Sequence, residues 1–522
     1  MMFAVAFLLN GSDHYATVLA ILALVGAVTA AASLQASIVL IAATPGLDSF
    51  GILATEPQVL TVFQVVLIAS LVGMVYRLAR HWHATRMWLT VWDAGILTFL
   101  TAAVVSVPVS LHFARSLIGA VEITALVGMY ALLSRAEPLD ESRRLLCRTL
   151  AFVGAVSGLV AIGQAFIPRF PVPLLENHPT GSYLFPQRVS AFFANPNSLA
   201  LLLVLAATIA TERVLRSRTV LGRSAWAATG LVCLLGIALT FSREGFVGLL
   251  VGVAAVVLIA SPKLRTTLIS IFVILALIAG MLAVPGIGER ARSIYSFRND
   301  ASAMDRQYLS RVSLNMFMDH PVVGIGISAF MSAYPQYEDP RVTISPVTDG
   351  HQMPLSIPAE TGILGLVAEL IMAAFLLCLL PRARALSRSG IDVAGVAAAC
   401  AFFAMSLFNV LYYAEYLWIA LALVASTLRS ASLGVLFYTP VGWRWHNAVP
   451  CFGSADPLSP ERRRNASVKE SRRQPHAEMR RTERLAAILE PSFDRAAQPP
   501  GNLSAGPHRV WARFAVWRER TK

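Results

Sequence analysis

The stretch from residue 224 to residue 260, SAWAATGLVCLLGIALTFSREGFVGLLVGVAAVVLIA, decides the fold class of this chain. It contains two apolar runs, 224–241 and 245–260, with only Ser242, Arg243 and Glu244 between them. Each run approaches the roughly 18–20 residues that a helix needs to cross a bilayer, and both are too long and too apolar for barrel strands. The stretch therefore predicts two successive membrane helices joined by a very short polar turn.

The composition extends this interpretation to the whole chain. Of the 522 residues, 56% are hydrophobic and 14% are charged, whereas soluble domains are about 25% charged. We predict an all-α fold, a polytopic membrane helix bundle of about twelve transmembrane helices, in which the first span is either tilted or broken. The predicted spans are about 17–43, 58–76, 88–110, 116–134, 146–167, 194–211, 224–241, 245–260, 266–284, 359–380, 391–411 and 414–430.

Basic residues cluster in every second connection between these spans, as the positive-inside rule requires of cytoplasmic loops. This pattern places both termini in the cytoplasm and the long polar segment at about 285–358 outside, as a large and partly helical periplasmic loop. The same orientation signal accounts for the net charge of +13, so we predict no nucleic-acid partner. The N-terminus lacks the basic region of a cleavable signal.

The chain divides into a transmembrane domain, residues 1–430, and a basic tail, residues 431–522. The tail is rich in Arg, Pro, Ser and Gln, which predicts a largely disordered cytoplasmic segment. It could attract anionic membrane lipids, or it could be a solvated appendage. The five cysteines are scattered without any Cys/His cluster, so we predict no metal site, no disulfide framework and no cofactor.

A helix start is predicted at the outer side of the span at 194–211. Asn195 is a suitable N-cap and Pro196 suits the first helical position. The helix N-terminus would favour an anion, and Arg188 lies a short distance upstream. The alternative is a plain helix cap beside an interfacial arginine.

The short turn in the opening stretch lies at the same predicted face of the membrane. Ser242 can cap the helix that follows, which gives a second outward helix N-terminus close to Arg243. The alternative is a snorkelling Arg243 paired with its neighbour Glu244.

Within the long loop, a helix is predicted from a cap at Ser302 to the residue before Pro321. Its apolar face would carry Leu309, Val312, Met316 and His320, and its opposite face Gln307, Arg311, Asn315 and Met318. Arg311 would therefore project either into water or into a site.

One histidine, His351, stands near the end of the long loop. Histidine is the side chain best suited to accept a proton near neutral pH, although a single loop histidine is often structural. Its position on the same predicted side as Arg188, Arg243 and Arg311 favours a site, because guanidinium groups bind phosphate bidentately and stay charged. Together these residues indicate transfer from a lipid-linked phosphate donor.

These motifs resemble the O-antigen ligase family, which also contains Wzy-type polysaccharide polymerases. The resemblance covers roughly residues 185–415. It rests on Arg188 with Phe193-Ala194-Asn195-Pro196-Asn197, on Ser242-Arg243, on Arg311 with His320-Pro321-Val322-Val323-Gly324-Ile325-Gly326, and on His351 to Leu355 with Glu360-Thr361-Gly362-Ile363-Leu364-Gly365.

The resemblance implies a GT-C type glycosyltransferase of the bacterial inner membrane. Such an enzyme takes a glycan from undecaprenyl pyrophosphate and passes it, without a metal, to an acceptor hydroxyl of lipid A–core or of a growing glycan. By position, Arg188, Arg243 and Arg311 would neutralise the leaving pyrophosphate. His351 would deprotonate the acceptor hydroxyl, which attacks the anomeric carbon with inversion.

The resemblance also implies substrate contacts for Asn195, Asn197, Ser242 and Gln352. Gln352 stands where the family usually has Asn, and its amide would orient His351. Glu244 stands where a small residue is commoner in the family, and it could pair with Arg243 and lower the positive field there.

Several functions stay open at this point. Within the same class the chain could be a ligase, a polymerase or a protein-directed oligosaccharyltransferase. The competing class is a transporter or flippase for lipid-linked sugars, which would have charged or broken helices near the membrane midplane. Ionisable residues inside the predicted spans, Asp93, Glu122 and Glu369, are either functional or internal packing partners.

Overall fold

The computed structural model describes residues 15–47, 52–54, 60–80, 88–167, 188–260, 301–339, 349–432, 435–439 and 442–446. In chain order the elements are α1 (Tyr15–Ala32), α2 (Leu34–Ala43), a 3-10 turn (Thr44–Leu47), β1 (Ile52–Ala54), β2 (Leu60–Thr61), α3 (Val62–Arg80), β3 (Trp88–Thr90), α4 (Val91–Ser106), α5 (Phe113–Arg135), α6 (Leu139–Phe166), α7 (Pro196–Arg216), α8 (Val220–Thr240), α9 (Arg243–Ala260), α10 (Ala301–Asp319), α11 (Phe330–Ala333), a second 3-10 turn (Tyr334–Gln336), α12 (Met353–Arg388), α13 (Ala394–Ser406), α14 (Glu415–Ala431), β4 (Val435–Thr439) and β5 (Gly442–His446). The described chain is therefore mostly helical, as predicted.

The number of membrane spans is confirmed only in part. Among the described residues, seven helices are long and apolar enough to cross a membrane: α3, α5, α6, α7, α8, α9 and α12. The first predicted span is broken at Ser33, whose hydroxyl accepts the Ala36 N–H at 3.3 Å and caps α2. Helices α4 and α13 are apolar but shorter than the spans predicted there. The predicted span at 266–284 lies outside the described residues.

Short strands are present that the all-α prediction did not include. Strands β1 and β2 pair with each other, and β3, β4 and β5 form an antiparallel sheet in that order. Strands β4 (Val435–Thr439) and β5 (Gly442–His446) lie within the predicted tail, which therefore contains regular structure. Apart from residues 431–432 at the end of α14, the rest of the predicted tail lies outside the described residues.

Helix α7 supplies the centre of the hydrophobic core. It packs against α6, α8, α9 and α13, and residues 199–210 are buried without exception. A helix that is apolar on every side must be surrounded by other helices rather than face a polar phase. The consequence is that both ends of α7 are held in place by their neighbours, including the end that carries the candidate site.

Ion pairs tie the helices together at the end of the bundle where α7 finishes. Arg213 donates to Asp392 at 2.9 Å. The buried Glu212 carboxylate accepts the Val393 N–H at 2.8 Å and the Ala394 N–H at 2.9 Å, and so caps the start of α13. A carboxylate at a helix N-terminus satisfies free N–H groups and opposes the helix dipole. These contacts fix α7 against α13 at this end.

Asp93 belongs to a second polar network near the start of α4. Its carboxylate accepts from the Tyr130 hydroxyl at 2.9 Å and from Arg135 at 3.0 Å, and it forms a capping box with Thr90. These donors satisfy the buried carboxylate. Asp93 is therefore explained as an internal packing partner, the second of the two roles considered for it.

The other end of the bundle, which we call the site end, gathers the loop after α4 and the loop after α10. The Leu111 N–H donates to the Ile325 carbonyl at 3.0 Å, and the Ser106 hydroxyl accepts the Ile327 N–H at 3.0 Å. The starts of α7, α9 and α12 lie at this same end, as the contacts below establish.

Candidate functional site

Arg188 joins the start of α7 to the end of α8. Its Nε donates to the Thr240 carbonyl at 2.8 Å and its Nη2 donates to the Asn197 side chain at 2.7 Å. Asn195 caps α7 by accepting the Asn197 N–H at 2.8 Å, which confirms the predicted helix start. The guanidinium is therefore held in one orientation next to a helix N-terminus, a location that favours anions.

The turn between α8 and α9 also has the predicted cap. Phe241 adopts a left-handed conformation, with φ of 52°, which reverses the chain within a few residues. The Ser242 hydroxyl then accepts the Gly245 N–H at 3.1 Å, and α9 begins at Arg243. The contact of Arg188 with Thr240 places this second helix N-terminus beside the first.

Glu244 is the point at which separate parts of the chain converge. It is buried in the first turn of α9. Its carboxyl interacts electrostatically with Arg306, Arg188 and His351, which attract it, and with Asp349, which repels it. The Oε2 atom has no hydrogen-bond partner among the residues that the structure describes. The structure thus brings the predicted Arg188 and His351 to one place, around a carboxyl that was considered only as a partner of Arg243.

Residues 349–352, which we call the histidine loop, hold His351 in an unusual conformation. His351 has φ of 57°, a left-handed conformation that is uncommon for residues other than glycine. Asp349 Oδ1 accepts the His351 backbone N–H at 2.7 Å and lies 3.0 Å from His351 Nδ1. Because an ionised carboxylate can only accept, Nδ1 is the ring nitrogen that carries the proton, and Nε2 is left as the acceptor.

Helix α10 has the two faces that were predicted. Leu309, Val312 and Met316 are buried, whereas Gln307, Arg311, Asn315 and Met318 are exposed. The helix begins at Ala301, so Ser302 lies inside it and is not the cap that was predicted, and it ends at Asp319, one residue before the predicted end at His320. Its apolar face packs with Ile325 and Phe330 in a small separate core.

Two arginines on α10 differ in their relation to the site. Arg306 is half-buried and interacts with Glu244. Arg311 lies on the exposed face, and no contact joins it to Glu244 or His351 within the described part of the chain. The role predicted for Arg311 stays a prediction, and Arg306 is an arginine that sequence reasoning missed.

The two glycine-containing motifs of the resemblance lie side by side. Helix α12 is interrupted at Gly362, where φ is 65°. The interruption leaves carbonyl groups without their usual helical partners. The Gly326 N–H donates to the Glu360 carbonyl at 2.9 Å, and the Ile363 N–H donates to the Pro321 carbonyl at 2.9 Å. The loop after α10 is thereby fixed to the start of α12.

The Glu360 side chain strengthens this junction. Its buried carboxylate accepts from the Ser328 N–H at 2.9 Å, the Phe330 N–H at 3.2 Å and the Tyr412 hydroxyl at 2.6 Å. The Phe330 ring lies beside Gly350 of the histidine loop. Glu360 therefore positions the surface on which the histidine loop rests, although it does not itself touch His351.

The remaining predicted contacts occupy the edges of the site. Gln352 directly precedes α12, and its backbone carbonyl accepts the Ser356 N–H at 2.9 Å. Its half-exposed side chain makes no cap hydrogen bond. Asn195 and Asn197 use side-chain oxygens to cap α7 and to hold Arg188. Their substrate contacts, like that of Ser242, stay predictions.

Three residues of the site were not predicted, for different reasons. Asp349 could have been found, because an Asp two residues before His351 can accept its N–H in a turn. Arg306 could not be preferred over Arg311 from the sequence alone. Tyr412 reaches Glu360 only because the loop between α13 and α14 folds against the start of α12.

The arrangement combines a place for an anion with a proton acceptor. Arg188, Arg306 and two helix N-termini supply positive potential, and the Asp349–His351 pair supplies an oriented imidazole. Such a combination suits a reaction in which a phosphate leaving group departs while a hydroxyl is deprotonated.

The comparison with known families agrees with this chemistry. Residues 228–370 match the family model described as O-antigen ligase. Over these residues the chain is similar to the O-antigen ligase family. The matched residues begin within α8 and run through α9 and α10 to the first half of α12, and so include Arg243, Arg306 and His351, whereas Arg188 precedes them. The resemblance seen in the sequence is therefore confirmed for this part of the chain. Curated proteins offer no match to the chain.

Proposed function

We propose that this protein is a membrane glycosyltransferase that moves a glycan from undecaprenyl pyrophosphate to an acceptor hydroxyl at the periplasmic face of the bacterial inner membrane. The observation that carries the proposal is the Asp349–His351 pair, in which Oδ1 lies 3.0 Å from Nδ1. The pair lies close to Glu244, which also interacts with Arg188 and Arg306. The similarity to the O-antigen ligase family supports the same reaction class.

In this mechanism His351 acts as the general base. Asp349 holds the Nδ1 proton, so that Nε2 takes the proton of the acceptor hydroxyl as its oxygen attacks the anomeric carbon. The bond between that carbon and the pyrophosphate oxygen breaks on the opposite side, and the configuration inverts. A positioned base contributes about 10²–10⁴-fold to such a reaction.

Cations stabilise the charge that develops on the departing pyrophosphate. Arg188 is oriented for this by its bonds to Thr240 and Asn197, and Arg243 lies at the N-terminus of α9. Arg306 is the α10 arginine with the stronger structural support, and Arg311 is the alternative. Loss of one preorganised donor to a developing anion costs roughly 10²–10³-fold in rate.

Two further assignments stay within the same class. The acceptor would be lipid A–core for a ligase, or a growing glycan for a polymerase. A transporter of lipid-linked sugars is the second class of function. The cations of the candidate site lie at helix ends rather than inside the spans, which favours an enzyme over a transporter.

The test is glycan transfer in membranes supplied with a polyprenyl-pyrophosphate glycan. We expect His351→Ala to lose at least roughly 10²-fold in rate at equal expression, whereas His320→Ala, a matched histidine on the same loop segment, stays near wild type. Unchanged transfer by His351→Ala would remove the proposed base. Analysis of the reducing end of the product separates ligase from polymerase.

The α10 arginines provide a second, internal comparison. Arg306→Ala is expected to reduce transfer far more than Arg311→Ala, because Arg306 interacts with Glu244 in the site. The reverse order would restore Arg311 as the phosphate contact. A topology reporter inserted after Glu338 should report the periplasm, and a cytoplasmic signal would overturn the proposed orientation.

A further inference from the structure

Glu244 is a buried carboxyl among the positive groups of the candidate site. It is 3% exposed, and its Oε2 atom has no hydrogen-bond partner among the described residues. A carboxylate in such a place costs free energy unless nearby cations compensate it. No step of the proposed reaction uses Glu244, so its position needs an explanation of its own.

The starts of α7 and α9 lie against each other next to Glu244. A Cβ added to Gly245 would lie 2.8 Å from the Ala200 Cβ, so the two helix starts are in direct contact. Arg188 is fixed to the same corner by its 2.8 Å bond to the Thr240 carbonyl, four residues before Glu244. Backbone packing, as well as attraction between charges, therefore places the carboxyl near Arg188.

Helix α10 and the histidine loop bring the other charges to this corner. A Cβ added to Gly350 would lie 2.6 Å from the Ser313 Oγ, so the histidine loop lies directly against α10. Arg306 precedes Ser313 by seven residues, about two helical turns, so both side chains project from the same face of α10. Both Arg306 and His351 attract the Glu244 carboxyl.

The charges around Glu244 are those that a phosphate would also use. Arg188 and Arg306, which we call the arginine cluster, attract the carboxyl together with His351, while Asp349 repels it. In the proposed reaction the departing pyrophosphate is stabilised by the same two arginines. The fixed negative charge of Glu244 lowers the positive potential of the arginine cluster, and so lowers its affinity for pyrophosphate.

Such a weakening has a kinetic use. Preorganised cations that stabilise a leaving pyrophosphate also retain it after the bond has broken. Product release then limits turnover, as it does in many enzymes. Tighter binding of donor and product alike does not raise kcat, whereas a fixed negative charge near the arginines speeds the release of an anionic product.

We propose that Glu244 sets how tightly the arginine cluster holds pyrophosphate, and thereby controls release of the polyprenyl-pyrophosphate product. The role rests on the proposed function, because it requires pyrophosphate as the leaving group. Glu244 acts through Arg188 and Arg306 rather than by touching the substrate, since its side chain is buried. It is therefore a positioning residue and not a catalytic one.

The first test measures binding without turnover, using the full chain in lipid nanodiscs. Inorganic pyrophosphate is titrated by calorimetry at about pH 8, above the range in which carboxyls ordinarily titrate. Glu244→Gln removes the charge with little change in shape, Glu244→Ala removes it with a small residue, and Glu244→Asp keeps it. Glu369→Gln is the matched control, because Glu369 is also buried with an unpartnered Oε2, and no charged residue of the described structure interacts with it.

We expect Glu244→Gln and Glu244→Ala to bind pyrophosphate at least about fivefold more tightly than the wild type, with Glu244→Asp within about twofold and Glu369→Gln unchanged. Weaker or unchanged binding by the variants that lack the charge would overturn the proposal. Equal tightening by Glu244→Asp would also overturn it, because the charge would then not be the cause.

Glycan transfer supplies the kinetic half of the test. Glu244→Gln should lower both the KM for the donor and kcat by at least about threefold, while the rate of a single turnover is kept. Equal losses in the single-turnover and steady-state rates, or an unchanged kcat, would overturn the role in release. Tighter pyrophosphate binding by Glu244→Gln in a protein whose wild type transfers no glycan would refute the proposed function alone.

Discussion

The hydrogen bond between Tyr412 and Glu360 offers the sharpest test of how the site is held. Tyr412→Phe removes only the hydroxyl, which donates to Glu360 at 2.6 Å, and keeps the ring that packs against Tyr413. Burial, with the added charge of Glu360, raises the pKa of Tyr412 well above its ordinary value, so the hydroxyl stays protonated and donating. Both partners are buried.

The expected loss follows from the chemistry of this bond. A hydrogen bond to a charged group contributes about 1.5–3 kcal/mol, and its loss leaves the carboxylate oxygen with one donor fewer in a buried location. The Ser328 N–H would be the remaining donor to that oxygen in the described structure. We therefore expect Tyr412→Phe to lower the free energy of unfolding by about 2–3 kcal/mol.

The neighbouring tyrosine supplies the control. Tyr413→Phe removes a hydroxyl of the same kind whose partner is the neutral Ser328 side chain rather than a carboxylate, so its loss of free energy of unfolding should be smaller, about 0.5–1.5 kcal/mol. Both variants are purified in one detergent and unfolded under identical conditions. A loss below about 0.5 kcal/mol for Tyr412→Phe, or equal losses for the two variants, would refute the assigned role of this bond.

Two further predictions concern the histidine loop and the junction below it. Asp349→Asn keeps an acceptor for the His351 backbone N–H but removes the carboxylate at Nδ1. The transfer rate should therefore fall by up to about 10²–10⁴-fold, without loss of folded protein. A wild-type rate would show that Asp349 does not orient the base. Gly324 has φ of 71°, and a Cβ there would overlap the backbone of Glu360, so Gly324→Ala should destabilise the protein by more than the roughly 1–3 kcal/mol of the backbone strain. Gly390→Ala is its control, because Gly390 has φ of 87° but no atom lies within 4 Å of the position that an added Cβ would take. If the two variants lose the same amount of stability in thermal unfolding, the predicted overlap at Gly324 is wrong.

Local patterns predicted a large part of the molecule. The caps at Asn195 and Ser242 were correct because a cap depends on a few neighbouring residues. The faces of α10 were correct because helical periodicity decides which side chains can meet a core. Helix lengths were less predictable, since α4 and α13 end earlier than their apolar sequences do.

The candidate site could be predicted only in outline. His351 and Arg188 were identified and lie near Glu244 in the structure. The choice between Arg306 and Arg311 could not be made, because it depends on how α10 is rotated about its axis where it packs against α12. A sequence pattern distinguishes an apolar face from a polar one, but it does not say which part of the polar face meets another element.

What the sequence determined by itself was the mostly helical fold, the caps at Asn195 and Ser242 and the apolar face of α10, because hydrophobic length, capping and periodicity act over short distances along the chain. Only the tertiary structure decided that Glu360 accepts hydrogen bonds from Tyr412 and from the loop after α10, and that Arg306 interacts with Glu244. These features join residues from separate helices, and such contacts depend on packing between elements, which no local pattern records.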